Sequence, residues 1–181
     1  MKTEELQFEA KTLTWDRAIT ESVHIKAPIE KVWDYVSDSG KAIEWSIYFH
    51  HISFLPGGSA DGMVGSFRRC FRNENEKGPR WDEETINIQK QESRQIVMFN
   101  MQGYFMNFLT QGSYCFVRQI YKAQSDGTTI LTFQTQISER CLPLQKFIFK
   151  HSSKKTKDIF LKNLQNIAAR IEQRMNPHHR S

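Results

Sequence analysis

The chain has 181 residues, of which 39% are hydrophobic and 25% are charged, and its formal net charge is +5. This length suits one domain with one core, and this composition argues against a disordered chain. The cysteines Cys70, Cys115 and Cys141 are odd in number and far apart, which argues against a disulfide framework or a zinc ribbon and predicts buried free thiols.

The amino end lacks the apolar run of a signal peptide, and no stretch reaches the roughly 20 apolar residues of a membrane span. We therefore expect a cytoplasmic protein. Residues 1–15 show little periodicity and are expected to form an arm or a poorly ordered lead-in, so residues 1–17 are assigned to an N-terminal arm. The folded domain is expected to cover residues 18–176, followed by a disordered tail at residues 177–181.

Alternating apolar and polar residues predict a first strand at Ala18–Lys26. Pro28 then suits the first turn of a helix that ends at Ser37–Gly40, and a second short helix is predicted at Lys41–Phe49. Six further strands are predicted at His51–Leu55, Val64–Arg72, Arg80–Lys90, Gln95–Met101, Gly112–Lys122 and Thr128–Ile137.

A long amphipathic helix is predicted at Ser153–Met175, because its apolar residues recur at the spacing of one helix face. These residues are Phe160, Leu164, Ile167, Ala168, Ile171 and Met175. This order of predicted elements, one strand, two helices, six strands and a long helix, is typical of the α+β class. We expect an antiparallel sheet that has one face covered by helix. A single helix on a curved sheet leaves space between them, and there we predict a pocket for an apolar small molecule.

The connection from Gly103 to Gly112 is unusual because half of its residues are large and apolar, whereas exposed loops are polar. Two interpretations stay open. Either the flanking strands extend and these side chains fill the core, or the loop is a gate whose side chains cover a bound ligand. In the gate interpretation the covering residues are Phe105, Met106, Phe108 and Leu109.

The run from Val23 to Asp38, which contains Ala-Pro-Ile-Glu-Lys-Val-Trp, resembles the opening signature of the START-like (SRPBCC) superfamily. That superfamily contains polyketide cyclases and dehydrases, lipid-transfer proteins and chaperone-ATPase activators. Weaker resemblances are found in Trp45, in Gly65 with Arg68 and Arg69, in Trp81–Ile86, and in Phe160–Leu164. The resemblance implies a helix-grip fold, a seven-stranded antiparallel sheet around the C-terminal helix with a hydrophobic cavity between them. It implies no single activity.

Two charged residues are candidates for the polar part of this pocket. Arg69 shares a strand face with Phe67 and Phe71, so inward-facing phenylalanines would bring the guanidinium inside, where it needs a carboxylate or an anionic ligand. The alternative is an edge strand whose Arg69 reaches water. Glu84 shares a face with Ile86 and could either pair with an arginine or act as an acid or base.

The remaining ligand-binding candidates are apolar or aromatic residues expected on the sheet, the apolar loop and the helix. They are Tyr104, Phe105, Phe108, Tyr114, Phe116, Phe133, Phe160 and Leu164. The tyrosines could also offer hydroxyl groups to a ligand carbonyl. No metal or cofactor is expected, because His50 and His51 face opposite ways on a strand and no third ligand has a suitable spacing.

These observations favour binding of a hydrophobic or amphipathic small molecule, such as a lipid or a polyketide. A second hypothesis is a cyclase or dehydratase in which Arg69, Glu84 or Tyr114 orients a carbonyl and moves a proton. A third is an interaction module, because Arg140–Arg174 contains nine basic and two acidic residues. Peripheral contact with an anionic membrane is also compatible with this charge, whereas the lack of any nucleic-acid-binding motif disfavours DNA or RNA.

Overall fold

The computed structural model describes residues 3–15, 18–58, 60–103 and 114–175, which form one antiparallel sheet with helices on both faces. The seven strands are β1 (Ile19–Ile25), β2 (His51–Phe54), β3 (Phe67–Phe71), β4 (Arg80–Gln89), β5 (Ser93–Gln102), β6 (Cys115–Ala123) and β7 (Thr129–Ile137). The helices are α1 (Thr3–Thr12), α2 (Ile29–Ser37), α3 (Ala42–Trp45), α4 (Pro143–His151) and α5 (Ser153–Met175), with a 3-10 turn at Ser39–Lys41 before α3. The predicted α+β helix-grip fold is confirmed.

The strand order is β1-β7-β6-β5-β4-β3-β2, and every neighbouring pair is antiparallel. Strands β2 to β7 are therefore a simple meander, whereas β1 pairs with β7 at the opposite edge from β2. The chain between β1 and β2, which contains α2 and α3, must cross from one edge of the sheet to the other. This crossing places α3 beside α5 on one face of the sheet.

The predicted apolar face of α5 packs against the sheet. Its residues Leu164, Ile167, Ala168 and Ile171 are buried together with residues of α2, α3 and five strands in one core cluster. Ile25, Leu131, Phe133, Trp81 and Cys70 belong to the sheet side of that cluster. The face of the sheet that packs against α5 is called the inner face below.

The opposite, outer face of the sheet is covered by α1, so the interpretation of residues 1–15 as a poorly ordered arm is wrong for Thr3–Thr12. Ala10 and Leu13 are buried against Ile86, Val97 and Phe116 of the sheet. The helix is also fixed by polar contacts, since Gln7 Nε2 donates to the Ile86 carbonyl at 2.9 Å and the buried Glu9 accepts from Ser138. The tail at residues 177–181 lies outside the described residues.

Helix α4 was not predicted from the sequence either. Its apolar residues point in two directions, with Leu144 and Phe147 exposed and Ile148 and Phe149 half-buried, so no single apolar face repeats. The helix begins at Pro143, a residue suited to a first turn, and the Leu142 N–H donates to Gln145 Oε1 at 2.8 Å. The buried Gln145 thus fixes the start of α4.

Candidate functional site

A small cavity of about 100 Å³ lies between the inner face of the sheet and α5, and it is called the sheet-helix cavity below. Its lining comes from α5, from the segment that includes the end of α3, and from strands β3 to β7. The lining residues are Trp45, Ser46, Tyr48, Phe49, Arg68, Trp81, Glu83, Ile96, Met98, Val117, Gln119, Phe133, Ile159, Phe160 and Asn163. Its volume is below the roughly 300 Å³ of the smaller pockets for drug-sized ligands.

Aromatic rings form most of the apolar wall. Phe133 contacts Trp45 on one side and Phe160 on the other, with ring centroids 6.1 and 5.7 Å apart. Phe49 contacts Trp81 across the same space, with centroids 5.5 Å apart. These edge-on contacts leave flat ring surfaces on which an apolar or aromatic group can pack.

The polar part of the cavity is a buried ion pair between neighbouring strands. Arg68 and Glu83 are directly opposite each other on β3 and β4, and Arg68 Nε and Nη2 donate to Glu83 Oε2 at 2.9 and 2.6 Å. Arg68 Nη1 also donates to the Ser39 carbonyl at 2.8 Å, and Trp81 Nε1 donates to Glu83 Oε1 at 2.7 Å. Both oxygens of the carboxylate are therefore engaged by the protein.

A second buried arginine, Arg94, lies beside this pair. Its Nη2 donates to the hydroxyls of Ser39 and Thr85 at 3.0 and 2.8 Å, and its Nη1 donates to the Ser37 carbonyl at 3.2 Å. Burial lowers the pKa of Arg94 to about 10, and the nearby Arg68 cation adds to that effect. Gly62 makes this packing possible, because a Cβ there would lie 2.5 Å from Arg94 Nη2 and 2.6 Å from the Ser37 carbonyl.

The electrostatics of the group favour an ionised Glu83. Burial by itself raises the pKa of a carboxyl, but the Arg68 cation and the hydrogen bonds from Trp81 and Arg68 outweigh it, so that the pKa of Glu83 lies below its ordinary value. The Arg94 guanidinium makes no hydrogen bond to Glu83, but its charge lowers the pKa of this carboxyl further. Among the described residues Glu83 is the one buried carboxylate of the inner face.

The lowered pKa of Glu83 predicts acid sensitivity. Because the unfolded chain takes up the proton first, the contribution of Glu83 to stability is fully present above the ordinary carboxyl pKa and is lost as pH falls through the folded-state value. Thermal unfolding from about pH 6 downward measures this effect. The Glu83→Gln variant is expected to be less stable than the unaltered protein near pH 6 and to lose less stability on acidification. The difference in melting temperature between the two proteins therefore narrows as the pH falls. A constant difference would contradict the assignment.

The predicted site residues divide between the two faces of the sheet. Phe133 and Phe160 line the sheet-helix cavity, and Leu164 is buried one turn along α5 from Phe160. The residues placed on the outer face are Phe67, Arg69, Phe71, Glu84, Tyr114 and Phe116. The outer position follows from the register, in which Phe67 pairs with Glu84, and from the stack of Phe67, Phe99 and Tyr114, with successive centroids 5.5 and 6.0 Å apart.

The inward orientation considered for Arg69 is therefore corrected, and the arginine that reaches the cavity is its neighbour Arg68. On the outer face, Arg69 donates from Nε and Nη2 to the two carboxylate oxygens of Asp82 at 2.6 and 3.0 Å. That hydrogen-bonded pairing raises the pKa of Arg69. Because Asp82 pairs with the guanidinium and the Arg69 side chain is 27% exposed to water, the charge of Arg69 needs no ligand as its partner.

The candidates Tyr104, Phe105 and Phe108, together with the choice between a core and a gate for residues 103–112, lie outside the described residues except for Gly103. Residues that line the cavity but were not among the predicted site residues include Arg68, Glu83, Tyr48, Phe49 and Met98. One signal could have indicated the first two, because residues two apart on a strand share a face. An inward Trp81 requires an inward Glu83, and the partner strand then brings Arg68 to it.

Within residues 3–15, 18–58, 60–103 and 114–175 there is no cluster of three or more His, Cys, Asp or Glu side chains that could hold a metal ion. The Nε2 atom of His51 instead lies 2.7 Å from Oε1 of Glu76. The three cysteines form no disulfide with any described residue, and Cys70 and Cys141 are buried whereas Cys115 is half-buried. Burial raises the pKa of Cys70, and it raises the pKa of Cys115 to about 12. In the same ranges, every helix is too short or too polar to cross a bilayer.

Comparison with known proteins gives one family match and many structural matches. A family model described as polyketide cyclase / dehydrase and lipid transport matches residues 16–172. A search of curated proteins by sequence finds no match.

Three solved structures illustrate the structural likeness. A protein from Nitrosospira multiformis is 15% identical, with a TM-score of 0.65, and the match covers 87% of this chain and 99% of that protein. A norcoclaurine synthase point mutant from Thalictrum flavum, solved with a transition-state analogue, is 14% identical, with a TM-score of 0.63 and coverage of 88% and 97%. A protein of the dynemicin biosynthetic locus is 18% identical, with a TM-score of 0.61. The match covers 87% of this chain but only about half (48%) of that protein. These identities show a shared fold alone.

Proposed function

The chain belongs to the polyketide cyclase/dehydrase and lipid transport family, and we propose that it binds a small apolar or amphipathic molecule in the sheet-helix cavity. The observation that carries this proposal is the combination of aromatic rings and a buried ion pair around one internal space. Ligand sites are typically apolar with a few fixed polar groups that orient the ligand. The cytoplasmic location and the absence of a cofactor stay predictions of the sequence.

The volume of the cavity limits what it can hold. A dry protein cavity of roughly 150 Å³ accepts benzene, and the sheet-helix cavity has about 100 Å³. We therefore propose that it takes a short branched chain of the ligand, or the edge of one ring whose remainder stays at the mouth of the cavity. The half-buried members of the lining are Tyr48, Met98, Ile159 and Phe160, and the rest of a longer ligand is expected to leave the cavity beside Tyr48, Ile159 and Phe160.

The polar end of the ligand is proposed to be a hydrogen-bond acceptor, such as a carbonyl, carboxylate or phenolate oxygen. A guanidinium carries five N–H groups, and Arg68 uses three of them on Glu83 and Ser39. The nearby Arg94 adds a second positive charge. An acceptor in the cavity would therefore find both a donor and a favourable potential, whereas a cationic ligand would be repelled.

Binding accounts for this geometry better than catalysis of the kind considered for a cyclase or dehydratase. Arg69, Glu84 and Tyr114, the residues considered for that role, lie on the outer face. In the cavity, Glu83 is held ionised and accepts from both Arg68 and Trp81, so it is poorly placed to deliver or take a substrate proton. The family itself does not decide between binding and catalysis.

The proposal is tested with phenol, a single ring with one hydroxyl, as the probe. Trp45 and Trp81 line the cavity, whereas Trp15 lies on the outer face beside Arg118. In an NMR titration, the indole N–H signals of Trp45 and Trp81 are expected to shift with saturation while that of Trp15 does not move. Equal shifts of all indole signals, or no saturable shift, would overturn the proposal.

A variant that fills the cavity completes the test. Val117 is buried, lines the cavity and belongs to the inner face of β6. Val117→Phe is expected to abolish the phenol-dependent shifts while the protein keeps a cooperative thermal transition. If Val117→Phe fails to fold, native mass spectrometry of the unaltered protein with and without phenol supplies a second measurement, in which absence of a one-to-one complex counts against the proposal.

A further inference from the structure

Three large apolar side chains are exposed within six residues at the start of α4. The side chains of Leu142, Leu144 and Phe147 are 64%, 52% and 57% exposed. Gln145 of the same helix is buried and its Oε1 accepts from the Leu142 N–H, which holds the start of α4 in the orientation that exposes these three side chains. Large exposed apolar groups that cluster in this way commonly mark an interaction surface.

The same part of the chain is strongly basic. Residues 140–157 contain six Lys or Arg residues and no Asp or Glu. Lys146 is paired with Glu139 at 3.2 Å, whereas Lys150, Lys154, Lys155 and Lys157 are exposed and have no ion pair with any described residue. Since α5 starts two residues after α4 ends, Lys154 and Lys155 lie next to the end of α4.

The position of these lysines is unfavourable for the helix that carries them. Lys154, Lys155 and Lys157 are in the first turns of α5, and its first turn has no acidic residue. The N-terminal end of a helix carries a partial positive charge, which repels cations and favours anions. An external anionic surface would remove this repulsion, and the exposed apolar groups of α4 would at the same time leave water.

We propose that α4 and the first turn of α5 bind an anionic lipid bilayer, with Leu142, Leu144 and Phe147 inserted among the lipids and Lys150, Lys154 and Lys155 against the headgroups. Exposed apolar side chains of a short helix next to a cluster of lysines are typical of helices that lie in the membrane interface. This inference does not depend on a ligand in the sheet-helix cavity. It gives the basic region a more specific role than contact with an acidic protein.

An acidic protein or a nucleic acid would explain the lysines but not the exposed apolar cluster. A polyanion offers negative charge without an apolar layer, so burying Leu144 and Phe147 would add nothing to its binding. A bilayer supplies both. The test therefore separates the charged contribution from the apolar one.

The experiment is flotation of the whole protein with vesicles of phosphatidylcholine alone and of equal parts phosphatidylcholine and phosphatidylglycerol. Binding is expected to the anionic vesicles and to weaken as salt is added. Lys154→Ala/Lys155→Ala should lower the partition coefficient about 30-fold at low ionic strength, roughly fivefold for each lysine. Phe147→Ala should lower it about tenfold, because it removes the largest inserted side chain.

Matched variants elsewhere serve as controls. Lys90→Ala/Lys122→Ala removes two exposed lysines at the opposite end of the sheet, and Met63→Ala truncates an exposed apolar side chain in the β2–β3 connection. Both are expected to leave partitioning unchanged. The proposal is overturned if the unaltered protein ignores anionic vesicles, if it binds both vesicle types equally, if Phe147→Ala has no effect, or if duplex DNA binds and vesicles do not.

Discussion

Replacing Arg68 with methionine is expected to lower the free energy of unfolding by about 3 to 5 kcal/mol, because it leaves Glu83 buried without its cation. Both side chains of the pair are 8% exposed, and the 2.6 Å contact from Nη2 is supported by further bonds to Ser39 and Trp81. Urea unfolding followed by circular dichroism measures the loss. Arg68→Met/Glu83→Gln should recover part of it, since the second change removes the orphaned charge.

Arg69→Met is the matched control, because the two arginines are adjacent on β3 and each pairs with a carboxylate of β4. Arg69 is partly exposed, and Asp82 keeps a hydrogen bond from Asn100 at 2.7 Å after the change. The free energy of unfolding is expected to fall by about 1.5 to 3 kcal/mol, the range of a hydrogen bond to a charged group. Equal losses for Arg68→Met and Arg69→Met would show that the two faces of the sheet do not differ as described.

This pair of arginines also shows where sequence reasoning failed. The seven strands and the apolar stripe of α5 follow from hydrophobic periodicity, and they were predicted correctly, whereas α1 and α4 were not predicted. The sequence did not predict which face of β3 points inward, because Phe67 and Phe71 alternate with Arg68 and Cys70 in a strand that is largely buried on both faces. A strand that is buried on both faces gives no periodic signal for the inner face.

The segment after α3 shows a second limit. The apolar spacing of Lys41–Phe49 predicts a longer helix than the structure has, since α3 ends at Trp45. The reason lies far away in sequence: Asn163 Oδ1 of α5 accepts from the Ile47 N–H at 2.9 Å, and Asn166 Nδ2 donates to the Trp45 carbonyl at 3.0 Å. These backbone groups are satisfied by side chains of α5 instead of by another helical turn, and no local pattern predicts such a contact.

The same two asparagines connect α5 to the cavity. Asn163 lines the sheet-helix cavity and holds the segment that contributes Ser46, Tyr48 and Phe49 to its wall. The polar side of α5 near its middle is therefore not only a solvated surface. The position of one wall of the proposed ligand site depends on how α5 is docked.

Docking of α5 is tested by Leu164→Ala, which is expected to lower the free energy of unfolding by about 2 to 5 kcal/mol. Leu164 is 0% exposed, and its truncation leaves a void in the core between α5 and the sheet. Leu161→Ala makes the same chemical change three residues earlier at a side chain that is 38% exposed. Alanine preserves helix propensity at both positions, so the control should lose at most about 0.5 kcal/mol.

The two variants also report on the cavity, because Leu164 lies one turn from Phe160, which lines it. Leu164→Ala is expected to keep the phenol-dependent shifts of Trp45 and Trp81, since space is added next to the site and no contact with the ring is removed. Urea midpoints and the NMR titration are measured on the same samples. Equal destabilisation by the two variants would mean that the stripe of α5 through Leu164 does not hold the helix to the sheet, and the cavity between them would then lose its structural basis.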